Sequence, residues 1–101
     1  MLKSAGRPRR SLLYIPGNNP GMIQNSAIYG ADGVLLDLED SISIAEKDSA
    51  RKLVKYALKT LDFGTVERVV RINGADTPFF LADLEEIVPA RPDAVRIPKI
   101  E

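Results

Sequence analysis

The sequence contains no cysteine, no histidine and no tryptophan. Without cysteine it can form no disulfide and offers no thiol nucleophile. Without cysteine and histidine together it cannot build the usual zinc sites. Histidine-based acid–base catalysis and a Ser-His-Asp triad are excluded within these residues. Any metal held here would have oxygen ligands, which favours magnesium, manganese or calcium. Any basic group would be a lysine or an arginine. An excess of charge of one sign is also missing, because 14 basic residues balance 14 acidic ones. That balance supports neither a nucleic-acid nor an anionic-membrane partner. No apolar run approaches the roughly 18 residues of a membrane span. The start is basic, but Leu12 to Ile15 is too short for the apolar core of a signal peptide. The expectation is a cytoplasmic protein with residues 1–9 as a flexible arm.

What is present is globular in character, with 45% hydrophobic and 28% charged residues. Short apolar runs alternate with helical patterns. Ser11 to Ile15 reads as a strand, closed by Pro16-Gly17-Asn18-Asn19. Pro20 suits a first helical turn capped by Asn19, and that helix is predicted to reach about Tyr29. Val34 to Leu38 is a second strand. Ser43 and Glu46 have capping-box spacing for a second helix. Its apolar positions are Ala50, Leu53, Val54, Ala57, Leu58 and Leu61, with Lys47, Arg51, Lys52, Lys55 and Lys59 mostly on the wet face. Val66 to Ile72 is a third strand. Asp76 or Thr77 caps a third helix with Pro78 in its first turn and Phe80, Leu84, Ile87 and Val88 as its stripe. Ala94 to Ile97 is a fourth strand. The pattern predicts an α/β protein, β-α-β-α-β-α-β, with crossovers long enough for parallel strands. A complete (β/α)8 barrel needs on the order of 250 residues, so these 101 are expected to be the opening part of something larger.

Three strands end in charge. Val34-Leu35-Leu36 runs into Asp37, Glu39 and Asp40; Val69-Val70 into Arg71; Ala94-Val95 into Arg96, with Lys99 beyond. Ligands of parallel α/β proteins sit at the carboxyl ends of strands, so these residues would meet on one rim. Alternation places Asp37 and Glu39 on one side of the strand and Asp40 on the other. The acids could approach a hard metal, or they could favour the dipole of the following helix. An arginine at the end of a buried strand needs a partner, either a ligand carboxylate or an acid such as Asp37 or Glu39. Lys99 could act as a Schiff-base nucleophile if desolvated, although ion pairing is the commoner role. Pro16 to Gly21 reads as a tight turn and only weakly as an anion site.

Five ordered stretches carry a family resemblance: Arg10 to Gly17, Gly30 to Ser41, Glu46 to Arg51, Val70 to Gly74 and Val95 to Lys99. Together they resemble the citrate lyase beta-subunit family of acyl-thioester lyases. Met22 to Gly30 looks more like the citrate lyase subunit than like the malyl-CoA lyases. The resemblance implies the N-terminal portion of a TIM (β/α)8 barrel, about three βα units plus a fourth strand, in one domain over 1–101. It implies Mg2+-dependent cleavage of a citryl thioester on an acyl carrier protein, giving oxaloacetate and an acetyl thioester. Acyl carrier protein and acyl-transferase subunits would be partners, in a homo-oligomer. Arg71 corresponds to the family's catalytic and substrate-binding arginine. Asp37, Glu39 and Asp40 match its D-L-E-D stretch near the metal, and the direct metal ligands are expected beyond residue 101. A related malyl-CoA or citramalyl-CoA lyase is the alternative. So is a receiver-like phospho-acceptor module built on Asp37, or a non-catalytic subunit of lyase ancestry.

Overall fold

The computed structural model describes residues 11–98. The arm expected at 1–9 and the candidate Lys99 lie outside them. In chain order the elements are β1 (Leu12–Pro16), α1 (Pro20–Gln24), β2 (Gly33–Asp37), α2 (Lys47–Thr60), β3 (Glu67–Arg71), α3 (Phe80–Ile87) and β4 (Ala94–Arg96). The strands form one parallel sheet in the order β1-β2-β3-β4. Each crossover therefore returns to the adjacent strand on the same side, as it does around a (β/α)8 barrel. A receiver module instead places its first strand between the second and third, so this topology removes the phospho-acceptor alternative.

The helices cover one face of the sheet. Ile15, Val34, Leu36, Leu38, Val70 and Ile72 point into that layer and pack with Ala50, Val54, Ala57 and Leu58 of α2 and Ile87 of α3. Strand alternation sends Leu12, Tyr14, Leu35, Asp37, Val69, Arg71, Ala94 and Arg96 to the other face. There Leu12, Glu67, Val69 and the β4 residues line a recess of about 310 Å³.

Several local expectations are corrected. The first helix ends at Gln24 and gives way to a 3-10 turn at Ser26–Tyr29. The Ser26 hydroxyl donates to the Ile23 carbonyl at 2.8 Å, a local bond that competes with the helical one. Gly30, at φ 77°, then ends the turn in the left-handed region. Asn19 does cap α1, accepting from the Met22 N–H at 3.0 Å. The capping box at Ser43 is not made. Ser43 heads a 3-10 turn without a side-chain bond, and the Glu46 carboxylate instead accepts from the Asn18 amide. The third helix begins at Phe80, preceded by a turn in which Thr77 Oγ accepts from the Phe79 N–H. Val88 lies past its end and is 52% exposed. The fourth strand stops at Arg96.

The largest correction concerns α2. Lys47 and Arg51 are buried rather than wet. Both occupy its apolar stripe, at positions 47, 51, 54 and 58, one helical turn apart. The Lys47 ammonium reaches carbonyls at the end of β2, and the Arg51 guanidinium pairs with Asp83 of α3.

Candidate functional site

The register makes Pro16, Asp37, Arg71 and Arg96 successive partners across the four strands. The strands therefore finish level, and their charged ends converge on one rim. Gly17 sets the close fit between β1 and β2. Its N–H donates to the Asp37 carbonyl at 2.8 Å. A β-carbon there would lie 2.6 Å from that oxygen and 2.9 Å from the Leu38 side chain. Pro16 to Gly21 is thus a tight βα turn.

Asp37 is fully buried. Oδ1 accepts from Arg71 Nε at 2.9 Å and from the Glu39 N–H at 3.0 Å. Oδ2 accepts from the Ser41 N–H at 2.8 Å and from Ser41 Oγ at 2.7 Å. Four donors fill the four lone-pair positions of a carboxylate. Burial alone would raise its pKa, but the bonds from Arg71, Ser41 and Glu39 together outweigh it and hold the carboxyl well below the usual range. Asp37 is therefore ionised and has no lone pair left for a metal.

Arg71 is tethered by Nε alone in that bond, and Glu39 Oε1 stands 3.5 Å from the same nitrogen. The pairing expected from alternation, Asp37 and Glu39 on one side, is present. The bond to Asp37 raises the guanidinium pKa further. Using Nε for the internal acid leaves the Nη groups for an external acceptor. Tyr14 faces the guanidinium, its ring centre 5.1 Å from Cζ. Desolvation, then the charge of Asp37, raises the phenol pKa, and Asp40 and Glu39 add to it. Asp40 is exposed at the margin of the cluster. Arg96 is exposed beside Arg71.

Two buried networks brace this rim from behind, and the expectation of a wet lysine face on α2 hid both. Lys47 Nζ donates to the Leu38 carbonyl at 3.1 Å and to the Glu39 carbonyl at 2.8 Å, with the Phe79 ring 5.7 Å away. It clamps the backbone that carries the acids. Asp83, fully buried on α3, accepts from Arg51 Nε at 2.7 Å, from the Asn73 N–H at 2.9 Å and from Asn73 Nδ2 at 2.7 Å. This joins both helices to the chain just after Arg71. A sequence signal existed, since Lys47 and Arg51 share the helical stripe of Val54 and Leu58.

Among the described residues no cluster of three or more acids is arranged to hold a metal, and Asp37 is already saturated. These residues do not by themselves make a magnesium site.

Comparison with known proteins gives a consistent picture. Residues 10–101 match the model of the HpcH/HpaI aldolase/citrate lyase family. Citrate lyase subunit beta of Leuconostoc mesenteroides subsp. cremoris is 54% identical over 95 residues, covering 94% of this chain and 32% of that protein. A (3S)-malyl-CoA thioesterase of Cereibacter sphaeroides is 44% identical over 93 residues, covering 92% and 33%. Among solved structures, the citrate lyase beta subunit of M. tuberculosis complexed with oxaloacetate and magnesium superposes with a TM-score of 0.71 at 34% identity, covering 89% of this chain and 38% of that one. The chain spans about a third of the length of the curated relatives it matches.

Proposed function

The chain belongs to the HpcH/HpaI aldolase/citrate lyase family, and we propose that the whole protein is a magnesium-dependent lyase that cleaves a citryl thioester to oxaloacetate and an acetyl thioester. In this proposal residues 1–101 are the first part of a single (β/α)8 barrel domain. The protein acts in the cytoplasm as a homo-oligomer, on a citryl group borne by an acyl carrier protein and loaded by an acyl-transferase subunit. The direct magnesium ligands would come from outside the described residues, with Asp37, Glu39 and Asp40 near the ion and not ligating it.

The observation that carries this proposal is Arg71, a guanidinium fixed at Nε by a buried ionised carboxylate with its Nη groups left for a ligand. Arg71 pairs with the carboxylate on the carbon that bears the hydroxyl. In cleavage the hydroxyl loses its proton and the adjacent carbon–carbon bond breaks. The bonding pair passes to the thioester fragment as an enolate, which takes up a proton to give the acetyl thioester. Arg71 holds the fragment that becomes oxaloacetate and offsets negative charge that grows beside it.

The test is oxaloacetate release from a citryl thioester by the full-length protein and its Arg71→Ala variant. The expected loss is at least about 100-fold in kcat/KM, the scale of removing one preorganised charge-stabilising donor, with circular dichroism unchanged. Near-normal kcat/KM in a folded variant removes Arg71 from the chemistry. Residues 1–101 alone should release none. A malyl or citramalyl thioester is the second reading, favoured by the 44% identity to a malyl-CoA thioesterase; the same assay with those substrates decides it.

A further inference from the structure

Arg96 is the second arginine on the rim. Its Cα pairs with that of Arg71, which in turn pairs with Asp37. Parallel partners share a face of the sheet, so both guanidinium groups start from neighbouring strands about 4.8 Å apart. Their electrostatic situations differ. Arg71 already faces Asp37 at 2.9 Å and Glu39 at 3.5 Å. Among the described residues no carboxylate forms an ion pair with Arg96, and its side chain is exposed at the rim. Its backbone is fixed all the same, because its carbonyl accepts from the Ile72 N–H at 3.1 Å. A cation on an anchored strand end, next to a bound arginine, is suited to an anion carried by the same ligand.

We propose that Arg96 binds the second free carboxylate of the substrate and so selects a citryl over a citramalyl thioester. This rests on the lyase function proposed above. The two substrates differ at one substituent. A citryl thioester has a carboxylate on the hydroxyl-bearing carbon and another on a CH2 arm. In a citramalyl thioester a methyl group replaces that arm. One arginine suffices for the first carboxylate, and the second needs a cation one strand away. The separation of adjacent strands suits two carboxylates only a few bonds apart. The same difference persists in the products, since oxaloacetate has two carboxylates and pyruvate one.

The experiment compares the full-length protein with Arg96→Met and Arg96→Lys, measuring kcat/KM on citryl and citramalyl thioesters. The citryl-to-citramalyl ratio should fall about tenfold to hundredfold in Arg96→Met, the range for a lost hydrogen bond between charged groups, and recover in part in Arg96→Lys. An unchanged ratio, or an equal loss on both substrates, overturns the assignment. Calorimetric binding of oxaloacetate and pyruvate provides a second readout. If the wild type cleaves neither thioester, the lyase function falls. The Arg96 assignment then stands only if the wild type binds oxaloacetate over pyruvate and Arg96→Met erases that preference; without that pattern it falls as well.

Discussion

Replacing Asp37 by asparagine tests whether a filled carboxylate holds the rim together. The aspartate receives four bonds, two on each oxygen. An asparagine can keep only one oxygen. If that oxygen stays with Arg71 and Glu39, the new NH2 group faces the Ser41 N–H, which is left without an acceptor. Ser41 Oγ can turn its proton away and accept instead. A stranded donor costs roughly 1–3 kcal/mol, and weakening the bond to a charged partner adds about 1. Together these give about 3 kcal/mol, within the range for breaking a buried pair. Urea denaturation of the full-length protein and of Asp37→Asn measures the difference. The pH dependence supplies a second check. The folded carboxyl has a lowered pKa, so its contribution is complete above the unfolded pKa near 3.9 and is lost as pH falls through the folded value. The advantage of the wild type over Asp37→Asn should therefore hold above about pH 5 and shrink progressively as pH falls below about 4. A difference below about 0.5 kcal/mol at pH 7, the size of a neutral surface change, or one that ignores acid, would refute the network as the source of rim stability.

Two further perturbations probe the supports. Lys47→Met keeps the length of the side chain and removes the donors to the Leu38 and Glu39 carbonyls. A loss of about 2 kcal/mol and faster hydrogen exchange at the Glu39 and Ser41 amides are expected, and unchanged exchange would show that the lysine does not clamp that turn. Gly17→Ala places a methyl group 2.6 Å from the Asp37 carbonyl. Backbone must move to admit it, at a cost of about 1–3 kcal/mol; a thermal midpoint equal to that of the wild type would mean that β1 and β2 can separate freely there.

The alternation of strands and helices was legible because apolar runs and helical stripes are local patterns. So was the capping of α1 by Asn19, a side-chain bond spanning only three residues. Parallel pairing and the cost of a lone charge at a buried strand end left Arg71 two kinds of partner, a ligand carboxylate or an acid such as Asp37 or Glu39, and the structure supplies the second. Lys47 and Arg51 look wet by residue type, whereas their positions on the stripe bury them. A charged side chain on an apolar stripe can be buried when long-range partners exist, and Asp83 lies 32 residues from Arg51 in sequence. Ser43 shows the opposite failure. Its spacing to Glu46 is right, yet Asn18, 28 residues from Glu46, supplies the bond instead. The family resemblance extended the reading to a substrate and a metal that the described residues cannot hold unaided.

Lys47 and Arg51 sit one turn apart on α2, one reaching the end of β2 and the other, through Asp83, the chain after β3. One helix therefore braces the ends of two strands. When α2 docks it brings two cations into a mostly apolar layer, and Lys47 adds its bonds to the Leu38 and Glu39 carbonyls behind the acids. Loosening this one helix would disturb two strand ends together while leaving the hydrogen bonds of the sheet beneath them in place.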